Sequence, residues 1–71
     1  MSDVKTVIAE ALGIDRELVT DDLAYGDLPE WDSMGHMNVM MALEERYGIE
    51  ITTDTIAELV NMPAIFAYVK E

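Results

Sequence analysis

Seventy-one residues are enough for one small domain around a single core, and residues 1–71 are read as one unit. The absence of cysteine excludes disulfides, thiolate metal sites and a thiol nucleophile, while an apolar share of 51% is too high for a disordered chain and too interrupted by charge for a membrane span. Fifteen Asp and Glu against four Lys and Arg leave a formal net charge of -11, which disfavours nucleic acid and anionic lipid and favours partners with basic patches. The same excess repels itself, so salt or divalent cations are expected to stabilise the fold.

In chain order, Ser2 is a plausible N-cap, and Val4, Val7, Ile8, Ala11 and Leu12 follow at spacings of three and four. That is one face of an amphipathic helix, stopped by Gly13. From Ile14 to Trp31 no long period survives. Asp15 to Val19 suits a short helical turn that tucks Leu18 and Val19 into the core, and Asp21-Asp22, Gly26-Asp27 and Pro29 punctuate a loop. A connection of this length in so short a chain belongs more often to a function or a forced topology. It is also acidic: Asp15, Glu17, Asp21, Asp22, Asp27, Glu30 and Asp32 face only Arg16.

The second helix is predicted from Ser33 to Tyr47, with Gly48 as C-cap. At ~1.5 Å per residue it is about 22 Å long and crosses the domain. Val39, Met40, Leu43 and Tyr47 form its core stripe, and Glu44 and Glu45 face water. Ile49-Glu50-Ile51 is a short extended link. Thr53 or Asp54 caps a brief third helix holding Ile56, Leu59 and Val60. Asn61 and Pro63 mark the start of the last helix, in which Met62, Ile65, Phe66 and Val69 keep the spacing. The chain therefore reads as all-α, with three principal helices and one short one. No charged-then-apolar leader is recognised at its start, so a cytoplasmic location is expected.

The chemistry concentrates at Glu30-Trp31-Asp32-Ser33-Met34-Gly35-His36-Met37, where the loop becomes the second helix. Taken alone, Ser33 is either an ordinary N-cap or a hydroxyl presented for covalent attachment at the electropositive helix end. His36, three residues on, stands within reach of that hydroxyl. A Ser-His-Asp hydrolase using Asp32 lacks any oxyanion motif, however, so no catalytic residue is assigned. A lone histidine makes a poor metal site, and Asp21 to Glu30 lacks the cadence of a calcium loop, so no metal is expected either. Trp31 is read as a hydrophobic staple at the helix entrance, with the mouth of a channel into the core as the alternative.

Asp32-Ser33-Met34, followed by Val39-Met40-Met41-Ala42-Leu43-Glu44-Glu45-Arg46-Tyr47-Gly48-Ile49-Glu50-Ile51, closely resembles the acyl carrier protein family. There an Asp-Ser-Leu opens the second helix and a run like Ala-Leu-Glu-Glu-x-Phe-x-Ile-x-Ile closes it. The resemblance covers nearly the whole chain, including its length, acidity, helix order and long first loop. It implies a four-helix bundle, not an enzyme, whose Ser33 carries 4'-phosphopantetheine transferred from coenzyme A. Asp32 would then sit beside that group's phosphate and repel it, so its use is read as recognition by the phosphopantetheinyl transferase. The terminal thiol of the arm would carry an acyl group, loaded by a ligase or transferase and passed to downstream acyl-processing enzymes. A monomer is expected.

Such carriers dock through the second helix, which makes Met34, Met37, Asn38, Met41, Glu44 and Glu45 the candidate partner-binding residues. Gly35 and Asn38 stand where many relatives place acids and Met34 where they place leucine, which points to a dedicated carrier in a specialised acyl pathway. Met40 and Met62 are assigned to the core, while Met34, Met37 and Met41 fit core or surface equally. Two alternatives stay open: an aminoacyl or peptidyl carrier, including a D-alanyl one, and a small acidic interaction domain with no prosthetic group.

Overall fold

The computed structural model describes residues 3–69. Four helices follow one another, α1 (Val4–Leu12), α2 (Ser33–Tyr47), α3 (Thr53–Glu58) and α4 (Met62–Val69), with a 3-10 turn at Arg16–Leu18 in the long connection after α1. The second helix runs from Ser33 to Tyr47 as its spacing requires. Its end at Gly48 follows from the φ of 66° there, a left-handed turn that glycine adopts without Cβ strain. Among the described residues no strand forms, and one isolated antiparallel bridge pairs Ala24 with Asn61.

The core is built where the apolar stripes of the helices converge. Val4, Val7, Ile8 and Leu12 of α1 meet Val39, Met40 and Leu43 of α2 and Met62 and Ile65 of α4, all buried. Ala9 of α1 is buried as well, and Tyr47, Phe66 and Val69 pack half-buried against this cluster. Met40 and Met62 are core residues with no exposed surface, as their spacing suggests.

The aperiodic connection is held by side chains and by backbone pairing. Val19, Leu23 and Trp31 drive three anchors into the core. Two backbone bonds, from Tyr25 N–H to the Val60 carbonyl (2.7 Å) and from Met62 N–H to the Leu23 carbonyl (2.9 Å), stitch the loop to the segment that starts α4. Leu18 departs from expectation. The 3-10 turn buries Val19 and leaves Leu18 exposed, because one short turn can direct only one of two adjacent side chains inward.

Helix entrances depart from expectation in a consistent way. The N-cap of α1 is Asp3, whose carboxylate accepts from Thr6 N–H at 2.9 Å; Ser2 lies outside the described residues. The cap of α3 is Thr52, not Thr53 or Asp54, and it forms a reciprocal capping box with Thr55. That helix ends at Glu58, so Leu59 and Val60 lie just past it, Leu59 still buried. At α4, the Asn61 side chain accepts from Ala64 N–H at 2.8 Å and Pro63 sits in the first turn, as read from the sequence.

Candidate functional site

The loop 26–32 delivers the chain to the start of α2. Its carbonyl at Glu30 presses so closely on Gly35 that a Cβ there would lie 2.0 Å from the oxygen and 3.0 Å from Leu12 Cδ2. Gly35 is thus required by the close approach of loop to helix, which accounts for a small residue where an acid is common. The N-cap of α2 is Asp32, with an extended backbone and a carboxylate accepting from Gly35 N–H at 2.9 Å. This corrects the reading of Ser33 as the cap. Ser33 is instead the first helical residue, exposed, and its hydroxyl is left free of that task. The only polar side chain that it meets among the described residues is Tyr25, at 3.1 Å between hydroxyl oxygens.

His36 does not serve Ser33. It is turned inward and buried, with Trp31 Nε1–H donating to its Nδ1 at 3.0 Å and its Nε2 2.8 Å from the Ile56 carbonyl oxygen. Because the indole can only donate, the proton of the neutral ring sits on Nε2 and is given to Ile56. Both ring nitrogens are committed away from the serine, which removes the hydrolase reading. Trp31 and His36 occupy the staple positions on either side of the cap, with rings stacked at a centroid distance of 6.2 Å. Trp31 is fully buried, in keeping with the staple, and a hydrogen bond is added to the apolar contact. Among the described residues every buried side-chain nitrogen and oxygen has a partner, which marks this pair as a completed structural unit.

The other sequence-derived candidates lie along α2. Met34, Met37 and Met41 are all exposed, at 76%, 45% and 56%, and their i, i+3, i+7 spacing puts them on one stripe running away from Ser33. Asn38, Glu44 and Glu45 are exposed as well. Glu45 also borders a groove of about 260 Å³ between α1 and α2, floored by Val7, Ala11 and Ala42 and bridged by Glu10 and Arg46 at 3.6 Å. That groove lies at the far end of α2 from Ser33, so the two features are separate.

Tyr25 is the residue that sequence reasoning missed. It stands eight positions before Ser33 in a stretch without period, and only the tertiary pairing of its backbone with Val60 brings it to the helix entrance. Its ring also meets His36 edge-on, with centroids 5.5 Å apart and planes at 88°.

Comparison with known proteins agrees with this geometry. Residues 2–69 match the family described as "Phosphopantetheine attachment site". The chain is 32% identical over 69 residues to an acyl carrier protein of Helicobacter pylori (strain G27), covering 97% of this chain and 88% of that one. An acyl carrier protein of Guillardia theta is 31% identical over 68 residues, covering 96% and 84%. Among the described residues, no helix is long and apolar enough to cross a membrane. With a four-helix architecture, a matching attachment-site family and relatives aligned over nearly all of this chain, the chain belongs to the acyl carrier protein family: a carrier, not an enzyme, that bears a covalent 4'-phosphopantetheine.

Proposed function

We propose that Ser33 is the point of attachment and that the chain presents acyl groups to partner enzymes. The arm would supply a terminal thiol on which the acyl group is held as a thioester, chemistry that no side chain of a cysteine-free protein offers. One observation carries the proposal: the Ser33 hydroxyl is exposed and Asp32 does the capping, so the oxygen can be esterified without unmaking the helix end. The residues fit a phosphodiester there. By helix geometry the N–H groups of Ser33 and Met34 point out of the α2 terminus, where a negative charge is favoured by ~0.3–1 kcal/mol at an exposed position. Asp32, exposed beside it, is assigned to recognition by the phosphopantetheinyl transferase.

Partner enzymes would dock along α2. Its Met34, Met37 and Met41 offer adaptable apolar contact, and Asn38, Glu44 and Glu45 offer polar and acidic contact to a basic patch. The cargo class is taken as acyl, in fatty-acid-like or specialised biosynthesis, because the relatives bear that name and the acidity points the same way; the Gly35-His36 pair is what an aminoacyl or D-alanyl cargo has in its favour. A cytoplasmic monomer is the working form. Incubation with coenzyme A and a promiscuous phosphopantetheinyl transferase, followed by intact mass, tests the proposal. Wild type should gain one phosphopantetheine and Ser33→Ala none. An unchanged wild-type mass with a transferase active on a control carrier overturns it and favours a plain interaction domain.

A further inference from the structure

Tyr25 is held against Ser33 from two directions. Its N–H donates to the Val60 carbonyl at 2.7 Å, and the following Gly26 N–H donates to the Trp31 carbonyl at 3.1 Å, so the backbone is fixed between the α4 approach and the α2 entrance. Its ring leans edge-on against His36, which is itself clamped by Trp31 and by Ile56 of α3. Tyr25 is 42% exposed, yet its phenol oxygen stays 3.1 Å from the Ser33 hydroxyl. The side chain is thus braced by the α4 approach on one side and the α2 entrance on the other.

We propose that Tyr25 is a positioning residue for the loading of Ser33, an inference that rests on Ser33 being the attachment point. Either hydroxyl can donate across this contact; with the Tyr25 O–H donating, Ser33 Oγ is held in one rotamer of the three it otherwise samples, and its own proton stays turned to solvent. In the loading step Ser33 Oγ attacks the phosphorus that bears the pantetheine arm of coenzyme A. An Oγ–P bond forms, the P–O bond to adenosine 3',5'-bisphosphate breaks, and that group leaves with the electron pair. The hydroxyl proton passes to a general base of the transferase. Tyr25 exchanges no proton in the net reaction. It delivers the nucleophile already oriented, and afterwards its O–H sits beside the esterified oxygen as a neutral donor.

The test compares wild type with Tyr25→Phe, which keeps the ring on His36 and removes only the hydroxyl; matched melting curves verify the fold. Loading by one transferase is measured with kcat and KM for the carrier separated, and the 31P resonance of each loaded protein is recorded. The expected result is a kcat lowered about 2- to 10-fold, the worth of one neutral hydrogen bond, with KM unchanged and the 31P resonance displaced. Equal kcat overturns the inference. So does a change confined to KM, which would make Tyr25 a surface that the transferase touches. If the wild type itself gains no mass, the failure belongs to the assignment of Ser33 and not to Tyr25.

Discussion

Asp32 and Ser33 divide two tasks that one residue at a helix entrance often performs. The carboxylate satisfies the Gly35 N–H, and the hydroxyl stays available. Their stability effects should therefore be unequal. Asp32→Ala should cost about 1 kcal/mol, the usual worth of an N-cap, whereas Ser33→Ala should stay within about 0.5 kcal/mol because an exposed hydroxyl contact is all it loses. Urea denaturation of the two variants checks this; the opposite order would return the capping role to the serine. At the other end of the chain, Asp3 caps α1 while Arg16 pairs with its carboxylate, and the guanidinium together with the Thr6 N–H holds that carboxyl well below the usual range. A depressed folded-state value stabilises above the ordinary Asp value of ~3.9, and the benefit fades as pH falls through the lowered one. Melting curves of wild type against Asp3→Asn, which keeps a capping oxygen, should show an advantage that is constant above about pH 4 to 5 and narrows below. An advantage independent of pH would contradict the ion pair.

At the scale of elements, α2 and the loop that precedes it act as one unit. Gly35→Ala should destabilise by about 1–3 kcal/mol, since its Cβ would meet a backbone oxygen that cannot rotate away. A variant of wild-type stability would mean that the loop is not seated on the helix as described. The helices themselves were legible from the spacing of Val4 to Leu12 and Val39 to Tyr47 and from Gly13 and Gly48. Their caps were not. The capping sites fall within Ser2-Asp3, Asp32-Ser33 and Thr52-Thr53-Asp54, runs in which each residue is a good N-cap, so propensity cannot choose among neighbours; backbone torsion does. Tyr25 was illegible for a different reason. Its role depends on a backbone pairing with Val60, thirty-five positions later, and no local pattern records that.

For the whole molecule, charge sets how partners arrive. Lys5, Arg16 and Arg46, the cationic side chains among the described residues, pair with Asp21, Asp3 and Glu10, and the chain's fifteen acids far outnumber its four bases. Association with a basic partner enzyme should slow about tenfold or more as salt rises from ~0.01 M to ~0.15 M, where the screening length shrinks from ~30 Å to ~8 Å. A rate indifferent to salt, measured by stopped flow, would assign encounter to the Met34, Met37 and Met41 stripe instead. The most direct test of the whole account is tandem mass spectrometry of the protein purified from the cells that make it. A phosphopantetheine mass located on Ser33 is the expected result. A bare Ser33 under every growth condition, or the same mass on another side chain, would contradict it.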